Sequence, residues 1–207
     1  MRLAALAIPF ALVALPCQAR ADGTTSVTID QISAVSHAAI SQSGDGNTAS
    51  IDQSNGAGDA SITQDGATND SSVVQSGSGY DEASLAQAGA SDVSSVVQTG
   101  GANVFTLEQT GAGNAATARQ TSQAAANVGF LTQEGALNSA SLSQYGSGNT
   151  ATQTQIGSGN TQSVVQTGDQ NTAAYTQIGA DLPDLAVRQT GGMSVTVIQT
   201  GSPFRAP

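Results

Sequence analysis

The chain has no Lys, no Trp, a single Cys and a single His among 207 residues, and only 3% of it is aromatic. Each shortage excludes something. One Cys cannot make an intrachain disulfide, so stability has to come from another source. With Cys17 and His37 as the only residues of their kind, neither a His/Cys metal site nor a His-based catalytic triad is read. Five Arg against fifteen acids leave a net charge of −10, which argues against nucleic acid or an anionic membrane as partner. What remains is rich in Gly, Ser, Thr, Gln, Asn and Ala. By composition alone such a chain reads as disordered, but the order of its residues says otherwise.

The first twenty-one residues, MRLAALAIPFALVALPCQARA, differ from the rest. Arg2 precedes an apolar run from Leu3 to Pro16, and Ala19-Arg20-Ala21 sets small residues around a cleavage point. This is the layout of a secretory signal peptide, too short for a stable membrane span. The expected domain division is a signal over 1–21, a repeat region over 22–202 and a short tail over 203–207. Cleavage after Ala21 and after Ala19 both fit, while Ala14-Leu15-Pro16 before Cys17 fits a lipobox poorly. Without the signal the charge becomes −12, since all fifteen acids lie beyond it and three Arg remain.

Beyond the signal the chain keeps a register on glutamine. Of the fifteen intervals between Gln31 and Gln199 in this register, eleven are eleven residues long. The rest are the steps from Gln75 to Gln87, Gln120 to Gln133, Gln177 to Gln189 and Gln189 to Gln199. Thirteen of the sixteen Gln are followed two residues later by Gly, and thirteen are preceded two residues earlier by Ile, Leu or Val. This is an internal repeat. Within a unit such as Asn47-Thr48-Ala49-Ser50-Ile51-Asp52-Gln53, the residues Ala49, Ile51 and Gln53 alternate with polar ones at period two, the strand signal. Gly, Asp and Asn after each Gln supply the turn.

A lone strand of this kind cannot bury its Ala/Ile/Gln face, whereas two joined by a tight turn can face each other as one 22-residue rung. The expected fold is therefore all-β: a two-sheeted β-solenoid of about sixteen strands, rungs stacked at roughly 4.8 Å. Stacking sets Gln above Gln and Asn above Asn, and their amides, both donors and acceptors, can bond along the stack. The ladder residues expected on this basis are Gln42, Gln53, Gln64, Gln75, Gln87, Gln98, Gln109, Gln133, Gln144, Gln155, Gln166 and Gln177. With them go Asn47, Asn69, Asn103, Asn114, Asn138, Asn149, Asn160 and Asn171. The Gln120 unit, which opens the thirteen-residue interval and is followed by Thr-Ser-Gln-Ala-Ala-Ala without the usual Gly, either bulges or breaks the stack.

The pattern N-x-A-x-(I/L/V)-x-Q-x-G-x-x-N resembles the curlin repeat of curli amyloid subunits. QSGDGNTASIDQ (Gln42 to Gln53), QTGAGNAATARQ (Gln109 to Gln120) and QYGSGNTATQTQ (Gln144 to Gln155) carry the likeness. The resemblance implies a secreted, extracellular, amyloid-forming subunit of fimbriae that support adhesion and a biofilm matrix. It also implies itself as main partner, a nucleator subunit, and export through an outer-membrane pore. Read from the residues, with one His and no carboxylate pair set across a cleft, the expectation is no enzyme activity and no cofactor. The chain departs from the family in having more repeats than usual, in Gln53 followed by Ser-Asn-Gly, and in Pro183 before Gln189.

Most carboxylates (Asp45, Asp59, Asp65, Asp70, Asp81, Glu82, Asp92, Glu134 and Asp169) fall between strand patterns and read as a solvated, self-repelling rim. Val74, Val97 and Val165 face outward on strands of one sheet, either as scattered surface valine or as a lateral contact. An ice-binding face would need outward Thr-x-Thr on successive rungs, and the positions one and three before Gln are mixed. The uncharged window Gly192 to Gly201 is the most β-prone and holds the candidate growing edge, Val195, Val197 and Gln199. Pro183 is expected to detach it partly from the stack, and the Gln120 unit to contain a defect at Ala118 within one rung.

Overall fold

A computed structural model describes residues 18–20, 25–31, 36–54 and 56–201. The signal reading and the 203–207 tail therefore lie almost wholly outside the described residues. Two parallel sheets face each other. One runs β1 (Gln18–Arg20), β3 (His37–Ser43), β5 (Ala57–Ala67), β7 (Tyr80–Ala90), β9 (Asn103–Ala112), β11 (Asn127–Ala136), β13 (Thr150–Ser158), β15 (Thr172–Ala180) and β17 (Ser194–Thr200). The other runs β2 (Ser26–Gln31), β4 (Thr48–Ser54), β6 (Asp70–Gly77), β8 (Val93–Gly100), β10 (Ala115–Ser122), β12 (Ser139–Gly146), β14 (Thr161–Thr167) and β16 (Leu185–Thr190). Successive strands alternate between sheets, so the chain winds as a β-solenoid. Strands β2 to β17 each carry one register Gln and make eight rungs, about 38 Å of stack.

Alternation along each strand decides which residues are inside. In β3 every second residue is buried, Ala38, Ile40 and Gln42, while His37, Ala39 and Ser41 face out. The same period along the stack packs Ile51, Ile62, Leu85, Phe105, Leu107, Leu131 and Leu142 into one continuous core. The three units without an aliphatic residue before Gln keep the inward direction, with Ala118, Gln153 and Tyr175 all buried.

A column of glycines turns the corner of the nine-stranded sheet. Gly66, Gly89, Gly111, Gly135 and Gly157 lie two residues past their Gln, all at positive φ between 115° and 140°. A Cβ on any one would run into the carbonyl oxygen of the glycine one rung further on. Both the dihedral and the closeness of the next backbone demand Gly here.

The irregular intervals are absorbed in turns. The thirteen-residue step adds its extra residues between β10 and β11, and β10 pairs along eight positions with both β8 and β12. Gln120 is fully buried and Ser122 takes the corner position of a glycine. The stack does not break there. Ala118, paired on both sides, is no contained defect site, because a proline in a strand with two neighbours disrupts both. Pro183 lies in the turn before β16, which keeps register with β14 over six positions. The final window is not detached either: β17 pairs with β15 over seven positions, Thr172–Ile178 with Ser194–Thr200. It is exposed because no further rung covers it.

Val74, Val97 and Val165 do share the eight-stranded sheet, half-buried, but the register sets Arg119 beside Val97 and Arg188 beside Val165. The apolar strip is therefore interrupted. The geometry makes a sharp contrast between two glycines. Gly111→Ala should lower stability by about 2–4 kcal/mol through strain and backbone collision. Gly148→Ala, also at positive φ but with no atom nearer than 3.8 Å to its Cβ, should cost about 1–2 kcal/mol. Urea denaturation of the soluble chain measures both, and equal costs would show that the column is not tightly stacked.

Candidate functional site: amide ladders and end strands

The rungs are held by side-chain amides as well as by backbone. In the nine-stranded sheet Nε2 of Gln42 donates to Oε1 of Gln64, Gln64 to Gln87, Gln87 to Gln109, Gln109 to Gln133, Gln133 to Gln155, Gln155 to Gln177, and Gln177 to Gln199. The eight-stranded sheet repeats this from Gln31 through Gln53, Gln75, Gln98, Gln120, Gln144 and Gln166 to Gln189. The longest of these links, from Gln155 to Gln177, is 3.1 Å. Every link points the same way, from the N-terminal rung toward the C-terminal one. The second Nε2 hydrogen crosses to a carbonyl of the opposite sheet, as from Gln109 to Val93 at 3.3 Å and from Gln120 to Val104 at 3.0 Å. A buried primary amide is thereby satisfied, which is what makes a polar core tolerable.

Asparagines do the same at the two edges where the chain passes between sheets. Along one edge Asn138 donates to Oδ1 of Asn114 and Asn160 to Oδ1 of Asn138, through both backbone N–H and Nδ2. Along the other, Asn149 bonds Oδ1 of Asn127 and Asn171 that of Asn149 in the same double fashion. Spare Nδ2 hydrogens reach turn carbonyls, as from Asn114 to Gly135 at 3.1 Å.

All twelve glutamines and eight asparagines expected as ladder residues stand in these ladders, although nothing yet measures their part in assembly. Four members were not singled out: Gln31, Gln120, Gln189 and Asn127. Asn127 was hidden because it follows the long interval, seven residues after Gln120. Counted backward it lies six before Gln133, like every other ladder Asn from its own Gln.

Two further members are acids, which corrects the reading of Asp81 and Asp92 as part of a solvated rim. Asp81 is 3% exposed and Asp92 0%. Each lies six residues before its Gln and occupies an asparagine place. Nδ2 of Asn103 donates to Oδ1 of Asp81 at 2.9 Å, and both backbone N and Nδ2 of Asn114 donate to Oδ1 of Asp92. Burial pushes the Asp81 carboxyl up to about 6 against the pull of its Asn103 bonds, and raises that of Asp92 likewise against Asn114.

The ladders stop at end strands that have one neighbour each among the described strands. These are β17 and β16 at one end and β2 at the other, where β3 is followed only by the short β1. Val195, Val197 and Gln199 all lie on β17, half-buried and facing inward beside Ala173, Tyr175 and Gln177.

The family model described as Curlin associated repeat matches residues 124–157, which span β11, β12 and most of β13. The chain carries a curlin repeat. The matched segment holds the Asn127, Asn138, Asn149 and Gln133, Gln144, Gln155 steps of the ladders, and the curlin spacing recurs in register on either side of it. No curated protein and no solved structure matches the chain.

Other chemistry is sparse. His37 is 69% exposed, with Nδ1 3.1 Å from Oδ1 of Asp59, and the Tyr80 hydroxyl donates to the same carboxylate. Among the described residues no three His, Cys, Asp or Glu side chains gather as metal ligands. No helix among them is long and apolar enough to cross a membrane.

The ladders make a prediction about position. Gln109→Leu removes the acceptor of Gln87 and the donor to Gln133 and Val93, so it should cost about 2–4 kcal/mol by leaving buried groups unpaired. Gln199→Leu severs one terminal link and should cost under about 1 kcal/mol. Denaturant midpoints decide it, and comparable losses would mean that the ladder is incidental to stability.

Proposed function

We propose that this chain is a secreted structural subunit that polymerises end to end into curli-like amyloid fibres, supporting cell adhesion and a biofilm matrix. One observation carries the reading. At the N-terminal end, Gln42 is 3% exposed beneath β1, and its Oε1 has no hydrogen-bond partner among the described residues. The ladder that begins there ends at Gln199, which accepts from Gln177 and has no further Gln to serve. A second copy stacked in the same sense sets Gln199 against Gln42 and Gln189 against Gln31, and continues both ladders without a new kind of contact. An unpaired strand is a template for the next strand.

On this reading the first twenty-one residues are a signal whose removal also takes away β1, which pairs with β3 across Gln42. Strand β3 then becomes an open edge, and the Gln42 Oε1 is left for the next copy to cover. Gln42, Gln64 and the other ladder residues are the structural and self-assembly residues, and β17, with Val195, Val197 and Gln199, is the growing edge. The partners are further copies of the chain, with a nucleating subunit and an outer-membrane export pore supplied by the family resemblance. The role is structural rather than enzymatic, and its place is outside the cell, in surface fibres.

Purified chain without residues 1–21 should assemble after a lag, accelerate when seeded, bind an amyloid dye and diffract with a spacing of about 4.8 Å along the fibre. A chain that stays monomeric for days at high concentration would point instead to a non-polymerising surface adhesin. Val197→Pro should leave the rest of the stack folded, since β17 has one neighbour, and should slow elongation on wild-type seeds at least about tenfold. Elongation at the wild-type rate would remove β17 as the growing edge.

A further inference from the structure

Asp92 stands within one asparagine ladder and Asp81 heads the other, and neither can donate when ionised. At the neighbouring steps the Nδ2 atom does two jobs. It donates back to the preceding Oδ1, as Asn138 does to Asn114, and it donates to turn carbonyls, as Asn69 does to Gly89 at 3.3 Å and Asn114 to Gly135. In Asp92 the atom in that place is Oδ2, which is buried and has no hydrogen-bond partner among the described residues. The backbone N–H of Asp92 already donates to Oδ1 of Asn69. The register sets the carbonyl of Gly111 where Gly89 and Gly135 serve the adjacent steps. Oδ2 is thus surrounded by acceptors and lacks only a hydrogen to give them. Asp81 has no side chain before it in its ladder, because its register partner on β5 is Gly58.

No cation offsets either group nearby. The titratable residues on the strands packed against Asp81 are Asp59 and Asp65 on β5, Tyr80 and Glu82 on β7 and Glu108 on β9. For Asp92 they are Asp70 on β6 and Arg119 on β10, the latter level with Val97 near the other end of β8. Residues 22–110 contain neither Arg nor Lys.

We propose that Asp81 and Asp92 are proton-binding sites that set the pH at which the stack closes. Protonated, each gains the donor of the asparagine it replaces; ionised, each still accepts its ladder bonds but leaves a buried charge with no hydrogen to donate. This rests on the self-assembly reading only for its consequence, that acid promotes fibre growth by completing the subunit. The direction follows from linkage. A carboxyl whose affinity for the proton is higher folded than unfolded stabilises the fold fully below its unfolded pKa, near 3.9, and the gain is lost as pH rises through the folded value. For Asp81 that value is about 6, so stability falls between pH 4 and 7.

The test uses soluble chain without residues 1–21, at low concentration and within the assembly lag. Asp81→Asn/Asp92→Asn should be more stable than wild type at pH 7.5, with an unfolding constant smaller by about tenfold or more, and should lose most of that advantage as pH is lowered from about 7.5 to 4. Asp65→Asn/Glu134→Gln removes the same charge from two exposed residues whose register partners are uncharged and should not give the tenfold gain at pH 7.5. Carboxyl carbon NMR on wild type provides a direct reading, in which two resonances should titrate well above the ordinary range. Two carboxyls titrating below pH 4.5, or a double amide variant that keeps the wild-type slope, would overturn the proposal. Because these measurements are made on monomer, failure to form fibres at any pH counts against the self-assembly reading and leaves this one standing.

Discussion

Burying a primary amide is costly unless its hydrogens and its oxygen find partners. A register glutamine in this stack links Nε2 to Oε1 of a copy of itself one rung away, while its other hydrogen reaches a carbonyl of the facing sheet. The whole structure depends on that constraint. It fixes the repeat, since an identical residue must come round every rung. It fixes the parallel, in-register pairing, because a slip by one residue would turn every Gln outward. It also explains how a chain with so few large apolar side chains holds together: the core is a narrow band of Ala, Ile, Leu and Val bounded by rows of bonded amides. Hydrophobic burial and hydrogen bonding here occupy alternate positions of the same strands.

Much of this was legible before any coordinates. The spacing of Gln31 to Gln199 implied the strands, their number and their pairing, because a period that strict has one economical physical meaning. What the spacing hid was hidden by the direction of counting. Asn127, Asp81 and Asp92 all stand six residues before a Gln, whereas two of the three are displaced when counted from the Gln that precedes them. Treating acids as solvent-facing by default then concealed that two had taken amide positions. Pooling all units hid a second feature. Separated by sheet, the outward residues before Gln are less mixed: Thr132, Thr154 and Thr176 stack in one column and Ser72 and Ser95 in the other. The turns were the least legible part, since residues added at a corner change the interval without changing the register, as between β10 and β11.

Charge is distributed unevenly along the stack. Eleven of the fifteen acids fall within 22–110, which has no Arg or Lys. On the nine-stranded sheet the outer faces of β3 to β9 carry Asp59, Asp65, Glu82 and Glu108, while those of β11 to β17 carry Glu134 alone. Copies meeting with their acidic ends together would repel, and an acidic end meeting the nearly neutral end of another would not. Electrostatics and the unpaired Oε1 of Gln42 thus favour the same sense of stacking.

Because all fourteen glutamine links run from the N-terminal rung toward the C-terminal one, the stack is a vector. The glutamine dipoles add along it while the asparagine ladders run the other way, and no two-fold rotation perpendicular to the long axis exchanges its two tips. Any polymer that prolongs the glutamine ladders inherits their arrow: in those ladders one tip offers Nε2 hydrogens and the other Oε1 acceptors. A filament held by one tip therefore always shows the same chemistry at its free end, however long it grows.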